Sequence, residues 1–193
     1  GMRRLVRRRL ESSELRGIEM KTILMLTAAL LLTVIGFGLW GAGTYNELVN
    51  KEETVNSAWS QVQNVYQRRL DLVPNLVETV KGAAKFERDT LREVAQARAA
   101  ATGITVDSSA LSDPAKFKQF EKAQQSFSGA LSRLLVSVEK YPELKTNENF
   151  LKLQASLEET EDNISVERHN FNEVAAVYNA ALRKMPALLV ARK

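Results

Sequence analysis

Residues 22–40, TILMLTAALLLTVIGFGLW, carry no charge, and the uncharged run continues to Asn46. No other feature limits this chain so strongly. Nineteen residues rising about 1.5 Å each cover roughly 30 Å, the thickness of a bilayer's hydrocarbon core. The stretch therefore reads as a membrane anchor over 22–42, with Trp40 and Tyr45 where interfacial aromatic residues are expected. The competing reading is a cleaved signal peptide, with the small residues Gly41-Ala42-Gly43 as the cleavage site. The apolar run is long for a signal peptide, whose apolar region covers about 7–15 residues, and this favours retention.

Charge is distributed unevenly around this run. Residues 1–21 hold seven Lys/Arg and three Asp/Glu, a net +4, and the whole chain is also +4. The remaining residues are neutral overall, so the chain has no basic footprint of the kind nucleic acid requires. Arg3, Arg4, Arg7, Arg8, Arg9, Arg16 and Lys21 read instead as the positive flank that stays cytoplasmic. On this reading the chain is anchored in a cytoplasmic membrane and its body lies outside the cytoplasm. Gly1 ahead of Met2 reads as an added residue, and Met20-Lys21 directly before the apolar run resembles a natural start. If translation begins at Met20, only Lys21 supports the orientation. There is no Cys and only one His, which excludes disulfide frameworks, thiolate metal sites and multi-histidine metal sites. No cofactor is expected.

Beyond the anchor, apolar residues recur at helical spacing. Trp59, Val62, Tyr66, Val73, Leu76 and Val80 form a stripe over about 45–82, with Gly82 as a stop. A second helix, 86–102, turns Phe86, Leu91 and Val94 inward, and GITVDSSALSD (103–113) is the linker. Asp113-Pro114 is a capping residue followed by proline at the first helical position, a helix start. The third helix, 114–140, has the most regular stripe: Phe117, Phe120, Phe127, Leu131, Leu134, Val138 and Tyr141, with Gln124 alone out of character. Tyr141-Pro142 ends it. A fourth, 146–184, places Phe150, Leu153, Leu157, Thr160, Ile164, Glu167, Phe171, Val174, Tyr178 and Ala181 in its stripe. No useful strand alternation occurs. The body is expected to be all-α, an antiparallel four-helix bundle over 45–186 with long first and last helices, because short connections join antiparallel neighbours. Residues 187–193 form a short basic tail.

Several stretches then resemble the LemA family of bacterial membrane proteins. They are YNELV after the anchor, AWSQVQNVYQRRLDLVPNLVETVKG (58–82), ARA in the second helix, LSRLLVSVEKYPELKTNENFLKLQASLEETEDNIS (131–165) and FNEVAAVYNAALRKMP (171–186). The resemblance implies an amino-terminal anchor and an antiparallel four-helix bundle, and it implies no reaction. The resemblance implies a longer tail rich in aromatics and glycine past this point, and MPALLVARK (185–193) departs from that pattern.

RRLDLVPNL (68–76) sets three charges and a proline inside a helical pattern. On the helical wheel Arg69 falls in the apolar stripe with Tyr66 and Val73. An antiparallel fourth helix offers Thr160, Glu159 and Glu161 at that level. Pro74 has no N–H to give the carbonyl of Leu70, so a kink is expected at 70–74 and that carbonyl needs another donor. Asp71 lies off the stripe and is expected to swing inward with the kink. Two readings compete. One is an ion pair that fixes which helices pack and in what register, which is costly to break and adds little net stability. The other is a small-molecule sensor or a hydrolase using Arg69, Asp71 and Glu161. The recurring Tyr45-Asn46, Phe171-Asn172 and Tyr178-Asn179 pairs put Asn172 and Asn179 beside the core seam, available to a neighbouring helix or a partner.

The motifs of nucleotide loops, nucleophile elbows and metal-binding helices do not occur, and His169 reads as a surface residue. The sequence therefore points to a non-enzymatic, single-pass membrane protein. Its rigid bundle would serve as scaffold or interaction partner for other membrane or envelope proteins, with a second copy of the chain among the candidates.

Overall fold

The computed structural model describes residues 2–82, 86–104, 111 and 113–184, with side chains described from residue 20 onward, 22 and 23 excepted. Most of the 103–113 linker and the 187–193 tail lie outside the described residues. Five helices follow one another: α1 (Met2–Lys81), α2 (Arg88–Thr102), α3 (Pro114–Val138), α4 (Pro142–Lys145) and α5 (Glu148–Leu182). The described residues contain no strand. The chain forms two compact units. One takes in the described residues up to Asn50 with those from Asn179 onward, and the other is Lys51–Tyr178.

The first unit contains the one described helix stretch long and apolar enough to cross a membrane. Leu24, Met25, Leu26, Leu30, Phe37 and Leu39 are each 65–71% exposed, so none of the described residues covers this apolar surface. The anchor runs into the first body helix without interruption: residues 43–47 continue the hydrogen-bonded helix of α1. Gly41 and Gly43, next to the good helix former Ala42, did not suffice to end it, because isolated glycines cost a helix only about 1 kcal/mol each.

The second unit holds the core, built on heptads. Val55, Val62, Arg69 and Leu76 recur every seven residues on α1, and Trp59, Tyr66, Val73 and Val80 do the same; all are buried. The core divides into two clusters. Trp59, Val62, Tyr66, Phe120 and Ile164 form an aromatic one, with Phe117 and Phe171 packed against it. Leu70, Val73, Leu76, Val80, Phe127, Leu131, Leu134, Val138, Phe150 and Leu157 belong to a larger, mainly aliphatic one. Pairings between elements run in consistent senses. Trp59 packs on Phe171 and Arg69 pairs with Glu161, so positions rise along α1 as they fall along α5. Glu87 pairs with Lys140 and Glu93 with Arg133, the same opposed sense for α2 and α3.

Local signals explain most boundaries. Asp113 caps α3 by accepting hydrogen bonds from the backbone N–H of Ala115 (2.9 Å) and Lys116 (3.3 Å), ahead of Pro114 at the first helical position. Asn147 accepts from the Phe150 N–H at 3.0 Å and opens α5. The short turn of α4 was not expected from the sequence; Pro142, which ends α3's run, starts a new turn with its fixed φ. Phe86 lies ahead of α2 rather than within it, yet is buried against Tyr141.

Candidate functional site

Among the described residues the buried polar side chains are Arg69, Gln124 and Thr160. Each occupies a core slot of a different helix. On α1 Arg69 follows Tyr66 and precedes Val73; on α3 Gln124 lies between Phe120 and Phe127; on α5 Thr160 lies between Leu157 and Ile164. Three helices thus place a polar residue at one level, and this layer separates the aromatic cluster from the aliphatic one.

Arg69 is 1% exposed and organises the layer. Its Nη1 donates to Glu161 Oε1 and to Ser128 Oγ, both at 2.7 Å, and its Nη2 donates to Gln124 Oε1 at 2.5 Å. The guanidinium carbon lies 5.1 Å from the ring centroids of both Tyr66 and Phe127, a distance at which ring quadrupoles attract a cation. Nε is buried with no acceptor. Glu161 remains about half exposed, so its charge stays hydrated on one side while Arg69 is enclosed. Arg68, one position earlier, points outward and meets Glu159 at 3.6 Å. Thr160 satisfies its own hydroxyl by donating to the Ser156 carbonyl at 2.7 Å, so it completes the layer by burial without bonding to Arg69.

Pro74 is exposed within α1, which continues past it to Lys81. The carbonyl of Leu70, four residues earlier, accepts a hydrogen bond from Arg98 Nε of α2 at 2.9 Å. The acceptor that the proline leaves unserved is therefore met from a neighbouring helix. Asp71 is exposed and accepts from Gln67 of its own helix at 2.8 Å; it does not turn inward, and the local glutamine holds it outside. Asn172 and Asn179 are both exposed. Beside them, the Tyr178 hydroxyl hydrogen-bonds to Glu52 and its pKa is raised, first by burial. His169 is exposed, 3.8 Å from Glu173. Tyr66 titrates above its ordinary value because burial disfavours the phenolate; Arg168 and Arg69 oppose the shift.

Sequence reasoning singled out Arg69, Thr160 and Glu161. It left out Gln124, Ser128, Arg98, Arg168 and Glu121. Gln124 had a signal, as the one polar residue in an otherwise apolar stripe. Ser128 and Arg98 had none, since each lies beside its stripe and is drawn in by a partner remote in sequence.

Among the described residues, helices alone, an apolar stretch long enough to cross a membrane and a core cut by a buried arginine layer define a helical protein with a candidate membrane span. Residues 58–193 match the LemA family, and the chain belongs to it. Protein LemA of Metamycoplasma hominis is 27% identical over 163 residues, 84% of this chain and 70% of that protein. The magnetosome protein MamQ of Magnetospirillum gryphiswaldense is 29% identical over 158 residues, 74% of this chain and 58% of the relative. Magnetosome protein MamQ 2 of Paramagnetospirillum magneticum is 28% identical over 171 residues, 80% and 63% respectively. The chain thus spans about three fifths of the length of the magnetosome relatives.

Proposed function

We propose that this chain is a single-pass protein of the bacterial cytoplasmic membrane. In this reading the body forms an antiparallel four-helix bundle outside the cytoplasm and serves other membrane or envelope proteins as a non-catalytic docking scaffold. One observation carries the reading. The chain combines an apolar helix that none of its described residues covers with a body whose buried polar side chains bond within the core: Arg69 to Glu161, Ser128 and Gln124, and Thr160 to its own backbone. Groups committed in this way specify packing and register. The basic flank of residues 1–21 supports a cytoplasmic amino terminus. The magnetosome relatives are named for a structure and not for a reaction, which fits a scaffold. Exposed Asn172 and Asn179 are available to a partner, and a second copy of the chain is one such partner.

Protease added to intact spheroplasts tests the topology: the body should be digested without lysis, and protection until lysis reverses the orientation. Site-specific photo-crosslinking from position 172 in intact membranes tests the docking role. Discrete protein adducts are expected, and adducts to lipid alone would remove the scaffold reading.

A further inference from the structure

Beside the polar layer a cavity of about 410 Å³ opens on the body's surface, with α1, α3 and α5 as its walls. That is within the range of small-ligand sites, roughly 300–1,000 Å³. Its lining includes two guanidiniums, Arg69 and Arg168, and two carboxylates, Glu121 and Glu161. The two charge pairs differ. The inner one, Arg69–Glu161, is close at 2.7 Å and reinforced by Ser128 and Gln124. The outer one, Arg168–Glu121, is stretched to 3.5 Å with both side chains about half exposed. A surface pair of that kind contributes little, so a ligand separates it at small cost.

We propose that the cavity binds a small zwitterion, a molecule with an anionic oxygen group and a primary ammonium a few ångströms apart, of which a free amino acid is the simplest case. Charge balance selects this class: the lining is already neutral, and a ligand of net charge would leave one wall group unpaired. Opening the outer pair frees one cation and one anion, which a zwitterion satisfies together. The inner wall sets the orientation, because it is rich in donors. Gln124 turns its oxygen to Arg69, a donor-only group, which leaves its NH₂ to face an acceptor. Arg69 engages three of its N–H groups at Glu161, Ser128 and Gln124. The anionic end therefore enters toward Arg168 and Gln124, and the ammonium stays at Glu121. Ile164 and the ring of Tyr66 supply the apolar side of the cavity, and the Tyr66 hydroxyl accepts a hydrogen bond from Arg168 and holds that guanidinium at the mouth. The docking role does not depend on this site, and either can fail without the other.

The test uses the full chain in detergent micelles, with thermal shift and calorimetric titration. One arm is a panel of free L-amino acids; the other is glycerophosphoethanolamine, which carries the same pair of charges as a lipid headgroup. Acetate and methylamine at equal concentration represent the two halves. At least one zwitterion should bind saturably where neither half does, and the arm in which it appears identifies the source. Its affinity should fall tenfold or more in Arg168→Met and in Glu121→Gln. It should persist in Arg133→Met, which breaks the separate pair with Glu93 between α2 and α3. Binding by neither arm, equal binding by a half-ligand, or wild-type affinity in both cavity variants would overturn the proposal.

Discussion

The aromatic and aliphatic clusters of the body solve the same packing problem in different ways. Around Trp59, rings of Phe117, Phe120 and Phe171 meet at centroid distances of 5.2–5.7 Å in tilted or edge-on arrangements. On the other side of the layer, Leu76, Val80, Val94 and Leu134 reach 0% exposure by close packing of aliphatic chains. Rings carry directional quadrupoles, whereas aliphatic side chains specify little beyond volume. The aliphatic cluster would therefore accept a helix shifted by one heptad more readily than the aromatic one. The Arg69 layer between them removes that freedom, since a shift of α5 would withdraw Glu161 from the buried guanidinium. Polar residues at core heptad positions have this effect at a cost in stability.

The comparison can be broken by substitution, read as unfolding of the full chain in detergent. Trp59→Ala should produce the largest loss, about 3–5 kcal/mol, because three ring contacts and a nearly enclosed indole disappear together. Leu134→Ala in the aliphatic cluster should lose about 3 kcal/mol; a loss greater than that of Trp59→Ala would reverse the ranking of the two clusters. Arg69→Met should cost about 2 kcal/mol, mainly by leaving the buried Gln124 oxygen without a donor, since Glu161 is hydrated on its outer side. Adding Gln124→Leu should recover that loss and join the two clusters into one core. If the double variant is no more stable than Arg69→Met, the layer does more than fix register.

Two smaller effects sharpen the picture. Arg98→Leu should cost about 1–2 kcal/mol by stranding the Leu70 carbonyl, and less in a Pro74→Ala background, where the helix regains its own N–H donor. Equal losses in both backgrounds would show that Arg98 acts through another contact. The last effect concerns pH. The folded-state pKa of Tyr66 is raised above its unfolded value near 10, so its contribution is fully present below about pH 10 and declines as pH rises through the folded pKa. Tyr66→Phe should therefore lose less stability than the wild type between pH 9 and 11. Parallel curves would mean that Tyr66 ionises in the folded protein as freely as in the unfolded one.

Much of this fold was legible because heptad spacing is local and repetitive. The stripes of Trp59 to Val80 and Phe117 to Val138 could be read by counting, and Asp113-Pro114 marked its helix start by side-chain chemistry alone. Arg69 could be placed inside for the same reason: a slot in a periodic pattern is defined by its neighbours. The partners were harder. Arg98 was missed because Pro74 marks the Leu70 carbonyl as vacant, while nothing local in sequence says which neighbouring side chain fills it. The cavity was invisible because a void depends on which side chains fall short of one another. Asp71 was misplaced because a glutamine one turn earlier on its own helix holds it at the surface.

That borrowed donor has a consequence for how the sequence can drift. In a contact between two side chains, a substitution on either side ends it. Here α1 contributes only main chain at Leu70, so nearly any residue could replace Leu70 and still offer the same oxygen. Only position 74 controls whether that oxygen is vacant, and only position 98 controls whether it is filled. The attachment of α2 to α1 at this height is thus written in two residues, Pro74 and Arg98, that need not touch, and a lineage that loses one releases the other from its constraint.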